Sequence, residues 1–193
     1  MNLILASASP RRRDILDAAK ISYTVCPSSA DESYDADMAA VDVPALLARR
    51  KAEAVAREAE ADAIVIGADT VVLLDNKLLG KPKDADEAKA MLRSLSGRTH
   101  QVVSGIAVVA GDTCLTDTVI THVEMRAISD AEIEAYVRRD QPLDKAGAYG
   151  IQEAAGLFVT GIRGDYYNVV GLPLCRLGEL LTAVGFPLFK ESV

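Results

Sequence analysis

The sequence is poor in the residues that build disulfide frameworks and histidine-rich metal clusters. Cys26, Cys114 and Cys175 are scattered, odd in number and form no C-x-x-C pair, which argues against a disulfide framework and a structural zinc site. His100 and His122 are the only histidines, too few for a multi-histidine metal cluster, and we expect both to be structural. This cysteine usage fits the reducing cytoplasm best.

Long apolar runs and an excess of basic charge are also missing. No apolar stretch reaches the length of a membrane span, and the N-terminus has no basic region followed by a long apolar core. We therefore expect neither a membrane partner nor a signal peptide. The formal net charge of −7 disfavours a nucleic-acid partner, because such binding needs a basic surface. Local basic clusters can still bind a small polyanion.

Common catalytic and nucleotide-binding signatures do not occur either. The sequence has no G-x-G-x-x-G loop and no G-x-S-x-G turn. Gly80-Lys81 is not a Walker A loop, because no Ser or Thr follows and no glycine precedes at the right distance. Ser-His-Asp catalysis has nothing specific to support it.

Strand and helix patterns alternate along the 193 residues, with hairpins among them. The alternation predicts an α/β fold with a mixed sheet and flanking helices, folded as one unit over residues 1–193. Predicted helices cover residues 10–19, 44–60, 85–95, 130–139 and 173–184, with Ser9, Asp84 and Ser129 as N-caps. Predicted strands cover residues 2–6, 21–26, 63–67, 70–74, 77–79, 102–110, 114–126, 157–162 and 166–170.

The segment Ser7–Arg13 joins a strand to a helix whose first turns carry three arginines. Free backbone N–H groups and the positive end of the helix dipole favour an anion there, and arginine adds bidentate phosphate contacts. Cations normally suit the other end of a helix, so this placement is unfavourable unless an anion binds. The alternative is an ordinary capped helix with solvated arginines.

Three further segments carry candidate chemistry. Asp69, at the end of an apolar strand, has the position and the carboxylate to hold a divalent metal or to take a proton from water; a strand-end turn or cap is the simpler alternative. Lys51 and Lys81 are able to contact phosphate, although solvated lysines are the simpler interpretation of each. In Asp144–Gln152, small residues allow close backbone approach to a ligand, and the Gln152 amide is able to read a base edge; a structural loop is the alternative.

Together and in this order, the segments resemble the Maf family. The resemblance runs from residue 3 to about 185. It rests on L-A-S-A-S-P-R-R (5–12), G-A-D-T-V-V (67–72), G-K-P (80–82), L-S-G (95–97), H-Q-V (100–102), D-K-A-G-A-Y-G-I-Q (144–152), G-D-Y (164–166) and V-G-L-P (170–173).

The resemblance implies a two-lobed mixed α/β fold similar to the inosine triphosphate pyrophosphatases, with a cleft between the lobes. It implies metal-dependent hydrolysis of nucleoside triphosphates between the α and β phosphates, and the 144–152 motif resembles the dTTP/UTP branch. By resemblance, each candidate then receives a role. Asp69 is the proton acceptor; Arg12, Thr70 and Gln152 set substrate choice; Ser7, Arg11, Lys51 and Lys81 bind phosphate; Glu32 and Asp69 hold Mg²⁺ or Mn²⁺.

Two positions depart from the family pattern. Glu153 stands where glycine is usual and adds charge near the base pocket, and Met125 replaces a usual phenylalanine as a core substitution. The resemblance also fits a homodimer and a role in arresting cell division. A second hypothesis is a regulatory binder in septum formation for which nucleotide is only a ligand. A nucleic-acid-binding module is a third, disfavoured by the charge of −7.

Overall fold

In the computed structural model, residues 2–189 are described, and within them the chain forms seven strands, six α-helices and two short 3-10 helices. The strands are β1 (Leu3–Leu5), β2 (Thr24–Val25), β3 (Ile64–Leu74), β4 (Lys77–Leu79), β5 (Thr99–Ala110), β6 (Thr113–Met125) and β7 (Val159–Arg163). The helices are α1 (Pro10–Ala18), α2 (Val43–Ala56), α3 (Ala85–Leu95), α4 (Asp130–Asp140), α5 (Tyr166–Val170) and α6 (Leu174–Ala183), and the 3-10 helices are Ala146–Ala148 and Ala154–Phe158.

All seven strands form one mixed sheet in the order β2-β1-β3-β5-β6-β7, with β4 also pairing with β3. Strands β2, β1 and β3 run parallel to one another, and the remaining pairs are antiparallel. The long strands β3, β5 and β6 pair along almost their whole length and form the centre of the sheet. The mixed α/β sheet predicted from the sequence is therefore confirmed.

One edge of β3 pairs with β5, and its other edge is only partly covered by neighbouring strands. β1 pairs with residues 64–66 of β3, and β4 pairs with residues 72–74. Within the described chain, residues 67–71 lack a strand partner on this edge, which leaves a gap in the sheet. Asp69 and Thr70 lie in that gap, where the otherwise buried strand becomes half-exposed.

Helix α2 packs unusually closely on one face of the sheet. A Cβ added to Gly67 would lie 2.1 Å from the carbonyl oxygen of Ala48, and one added to Gly105 would lie 2.1 Å from the carbonyl carbon of Pro44. Only glycine allows backbone to approach this near. Because alternate strand residues share a face, Gly67 and Asp69 both face α2. The two glycines thereby set the distance between α2 and the carboxylate of Asp69.

The other face carries two hydrophobic clusters at opposite ends of β3. One surrounds Ile66 and packs against α1 and α6; the other surrounds Val72 and packs against α3 and α4. Ile151 contacts both clusters from the connecting loop. The clusters are the cores of two lobes, and the gap at residues 67–71 lies between them. Among residues 2–189, no helix has the length and apolar character needed to cross a bilayer.

Three element predictions need correction. Residues 166–170 form helix α5, not a strand, because Gly164 (φ +127°) turns the chain away from the sheet and Asp165 caps the helix by accepting the Tyr167 N–H at 2.8 Å. Residues 63–67 and 70–74 belong to one continuous strand. The strand predicted over residues 21–26 shrinks to Thr24–Val25.

Candidate functional site

A cavity of about 630 Å³ opens at the gap in the β3 edge, between the two lobes. Its walls come from the turn before α1, from α2, from β3 and from the loop around residues 144–153. The lining contains every site residue predicted from the sequence: Ser7, Arg11, Arg12, Glu32, Lys51, Asp69, Thr70, Lys81 and Gln152. Residues up to 145 positions apart in sequence are thus brought to one place (Ser7 to Gln152).

The N-terminus of α1 forms one wall of the cavity. Its first turn reads Pro-Arg-Arg-Arg, and the three arginines separate in space: Arg11 and Arg12 line the cavity, whereas Arg13 is exposed to solvent. Ser9 occupies the N-cap position, but its side chain makes no capping bond; instead the Ser7 hydroxyl accepts the Ser9 N–H at 3.3 Å. The solvated-arginine interpretation therefore holds only for Arg13.

Arg12 joins three separate segments. Its Nη1 donates to the Ser7 hydroxyl at 2.9 Å, its Nη2 to the Thr70 hydroxyl at 3.3 Å, and its Nε to the Gly171 carbonyl at 2.9 Å. Burial lowers the pKa of the guanidinium, and the negative charge of Asp69 opposes that shift. Five N–H groups are available on a guanidinium, so Arg12 positions the cavity wall and keeps donors for a ligand.

Thr70 is held from the opposite side by Ser104, its register partner on β5. The two hydroxyls lie 2.8 Å apart, and the Ser104 side chain is fully buried. Ser104 also donates to the carbonyl of Asn168 at 3.4 Å. The hydroxyl of Thr70 is therefore fixed in a buried hydrogen-bond network that runs behind the cavity.

The Lys51 ammonium group lies between two carboxylates. Its Nζ is 2.7 Å from Asp69 Oδ1 and 2.7 Å from Glu32 Oε1. Lys51 and Asp69 are largely buried, with side chains 14% and 15% exposed, while Glu32 on the preceding polar loop is 65% exposed. The hydrogen bond from Lys51 lowers the pKa of the Glu32 carboxyl against the opposing effect of burial. The Glu32 carboxylate is thus favoured in the ionised form, which binds cations.

A chain of ion pairs crosses the cleft from Arg11 on α1 to the loop around residues 144–153. Arg11 Nη1 donates to Asp144 Oδ2 at 3.0 Å, Lys145 Nζ bonds Asp144 Oδ1 at 2.8 Å, and Lys145 lies 3.3 Å from Glu153 Oε2. Burial opposes the charge on Asp144, but the hydrogen bonds from Lys145 and Arg11 outweigh it and lower the pKa of its carboxyl. Glu153, the departure from the family pattern, is therefore an ion-pair partner of a lysine that is 8% exposed.

The loop that carries Gln152 is anchored to the second lobe. Gly147, with φ +68°, approaches so closely that an added Cβ would lie 3.0 Å from a methyl of Val72, and its N–H donates to the Gly80 carbonyl at 3.0 Å. Gln152 itself is exposed and lines the cavity. The small residues of the 144–152 motif thus allow close approach to β3, and the glutamine remains free to meet a ligand.

Behind this loop, the Tyr149 hydroxyl lies 2.7 Å from Nε2 of the buried His100. Burial lowers the pKa of the imidazole to about 4, so the ring is neutral at pH 7. His100 supports the cavity wall from the core, as expected for a structural histidine.

Charge and donor chemistry define what the cavity can bind. Its lining holds five cationic side chains and four carboxylates, a mixture that suits a polyanion together with a cation. Glu32 and Asp69 offer the hard oxygen donors that Mg²⁺ and Mn²⁺ prefer, and both already bind one cation, the Lys51 ammonium. Among the described residues, no group of three or more His, Cys, Asp or Glu side chains could hold a metal ion.

Some residues that shape the site were not singled out by the sequence. Ser104 and Gly105 lie within an apolar strand pattern that gives no sign of their contacts with Thr70 and with α2. Gly171 lies in a motif that was recognised, but its function, a carbonyl acceptor for Arg12, depends on the turn between α5 and α6. Ser104 could have been found only from information that β3 and β5 pair in the register that places Ser104 opposite Thr70.

Comparison with known proteins agrees with the geometry. The model of the family described as Maf-like protein matches residues 2–184. A protein of Alkaliphilus metalliredigens named dTTP/UTP pyrophosphatase is 48% identical over 181 residues, covering 93% of this chain and 94% of that protein. Proteins of the same name from Clostridioides difficile and Hahella chejuensis are 47% and 44% identical and cover 94% and 98% of this chain, and 94% and 95% of their own lengths.

Among solved structures, one from Mycobacterium abscessus is described as a nucleoside-triphosphatase, dITP/XTP pyrophosphatase. It aligns with 95% of this chain and 97% of its own, at 14% sequence identity and a TM-score of 0.47.

Proposed function

This chain belongs to the Maf-like protein family, and on that premise we propose that it is a nucleoside triphosphate pyrophosphatase that hydrolyses dTTP and UTP to the monophosphate and pyrophosphate. The observation that carries the proposal is the convergence of Asp69, Lys51, Lys81 and the α1 N-terminus in one cavity. The names of relatives that are 44–48% identical over nearly the whole chain support the choice of substrate.

In this proposal the triphosphate lies across the N-terminus of α1. The free N–H groups and the helix dipole attract the phosphates, and Arg11 supplies a bidentate cation. Lys51 and Lys81, which both line the cavity, neutralise the outer phosphates. Gln152, at the exposed end of the 144–152 loop, reads the base edge with its amide.

Asp69 orients a water molecule and accepts its proton as the water oxygen attacks the α-phosphorus. The bond from that phosphorus to the bridging oxygen breaks, and pyrophosphate leaves on the side opposite the attack. Glu32 and Asp69 would hold a Mg²⁺ or Mn²⁺ ion, which supplies charge neutralisation and a more acidic bound water. Ser7 adds a phosphate contact, and Arg12 and Thr70, which are hydrogen-bonded to each other in the cavity wall, contribute to substrate choice.

The test is pyrophosphate release from a panel of nucleoside triphosphates with Mg²⁺ or Mn²⁺, beside Asp69→Asn. The matched control is Asp75→Asn, because Asp75 lies on the same hairpin, has φ +51°, which asparagine tolerates, and is exposed beside Arg98. We expect turnover of dTTP and UTP that falls roughly 10²–10⁴-fold in Asp69→Asn and is retained in Asp75→Asn.

Each other outcome has a definite meaning. Normal turnover in Asp69→Asn would rule out the proton-acceptor role. Turnover of purine nucleotides alone would keep the chemistry and overturn the assignment of Gln152. Tight nucleotide binding without any turnover would favour the regulatory binder in septum formation.

The setting of the reaction is part of the proposal. We place the enzyme in the cytoplasm, because Cys26, Cys114 and Cys175 are all free thiols, as expected in a reducing compartment. We also propose action on modified pyrimidine nucleotides, a link to the arrest of cell division, and a homodimer. Sedimentation analysis checks the dimer, and cell length on overproduction of the active and Asp69→Asn forms checks the division role.

A further inference from the structure

The Lys51 ammonium lies between Glu32 and Asp69, the two residues that would hold the proposed metal ion. Its Nζ makes contacts of equal length, 2.7 Å, with one oxygen of each carboxylate. Asp69 comes from the sheet and Glu32 from a loop, so the lysine is the group that links them. Two carboxylates this close repel each other, and a single cation between them relieves that repulsion.

We propose that Lys51 is a built-in counter-ion that competes with the divalent metal for Glu32 and Asp69, and that it exchanges those carboxylates for substrate phosphate when metal and nucleotide bind. This inference rests on the proposed function for the identity of the phosphate ligand. In this proposal Lys51 binds the two carboxylates first and the substrate phosphate second, whereas a lysine that only binds phosphate would have the phosphate as its one partner.

The exchange follows from charge. A buried ammonium is costly without an anionic partner, so Lys51 stays on the carboxylates while the cavity is empty of phosphate. The same oxygens cannot serve an ammonium and a metal ion fully at once, so one cation must leave. A single ammonium balances one of the two negative charges, whereas a divalent ion balances both. Phosphate then offers Lys51 a new anionic partner.

The geometry allows this movement. Lys51 lines the same cavity as Arg11 at the α1 N-terminus, where the phosphates are proposed to lie. Lysine carries its charge on a flexible four-carbon stem with rotatable donors, so the ammonium can move while α2 stays packed on the sheet. Metal and nucleotide should therefore bind cooperatively: each favours the state in which Lys51 has left the carboxylates.

The test measures Mn²⁺ binding without nucleotide, by the loss of the electron paramagnetic resonance signal of free Mn²⁺. Wild type is compared with Lys51→Met and with Lys81→Met, which removes the same charge from the same cavity. We expect Lys51→Met to bind Mn²⁺ roughly tenfold more tightly than Lys81→Met, because only Lys51 occupies both carboxylates. Lys51→Gln serves as a second variant if Lys51→Met fails to fold, as judged by thermal unfolding.

A second arm adds a non-hydrolysable dTTP analogue. It should tighten Mn²⁺ binding to the wild type and tighten it much less in Lys51→Met, where no ammonium remains to be exchanged. Equal Mn²⁺ affinities in the two methionine variants, or weaker binding in Lys51→Met, would overturn the counter-ion role. Because the first arm contains no nucleotide, its failure is distinct from failure of the proposed pyrophosphatase activity.

Discussion

His100 makes the stability of this protein sensitive to mild acid. The side chain is 2% exposed, its Nε2 lies 2.7 Å from the Tyr149 hydroxyl, and its Nδ1 has no hydrogen-bond partner among the described residues. Burial lowers the pKa of the imidazole from 6.5 to about 4. The unfolded chain therefore binds a proton at His100 more readily than the folded protein does at pH values between those two pKa values.

The direction and size of this pH effect on the free energy of unfolding follow from the difference between the folded and unfolded pKa values of His100. Because the folded pKa lies below the unfolded one, the contribution is fully present above pH 6.5 and is lost as the pH falls toward 4. At about 1.4 kcal/mol per pKa unit, the total is about 3 kcal/mol. Roughly 2 kcal/mol of it should be lost between pH 7 and pH 5, mostly before carboxylates protonate.

The assay is urea unfolding at pH 7 and pH 5 of the wild type and of His100→Phe, which cannot take a proton. Removing the partner of Tyr149 lowers stability at both pH values, so the decisive quantity is the difference between them. That difference should shrink by roughly 2 kcal/mol in His100→Phe. An equal pH dependence in wild type and His100→Phe would refute the reasoning.

Two further perturbations test how the sheet supports the cavity. Gly67→Ala places a Cβ 2.1 Å from the carbonyl oxygen of Ala48, so α2 must shift. We expect a loss of about 1–3 kcal/mol in urea unfolding and a fall in pyrophosphate release, whereas Gly178→Ala, with no contact closer than 3.4 Å, should be neutral or stabilising. Thr70→Val removes one of the two hydrogen-bond partners of the Ser104 hydroxyl, and it should cost about 1–2 kcal/mol of stability and lower kcat/KM. Thr70→Ser should retain both stability and kcat/KM, and equal behaviour of the two variants would contradict the network.

Local chemistry accounts for the elements that were predicted well. Helix α3 begins after Asp84, which accepts the Glu87 N–H, and α4 begins with a capping box of Ser129 and Glu132. Capping depends on residues three positions apart, so it can be read from the sequence. The strand predicted over residues 166–170 is wrong because Tyr-Tyr-Asn-Val-Val favours strands by composition, while the turn at Gly164 and the cap at Asp165 decide for a helix.

The sequence by itself determined the alternation of strands and helices, the family, and the residue types of the site, because periodicity, caps and spaced motifs are written along the chain. Only the tertiary structure decided that β1 and β4 share one edge of β3 and leave a gap there. It also decided that Lys51 meets both carboxylates and that Arg11 pairs with Asp144 across the cleft. These contacts join residues far apart in sequence, and strand pairing and helix packing, which no local pattern encodes, bring them together.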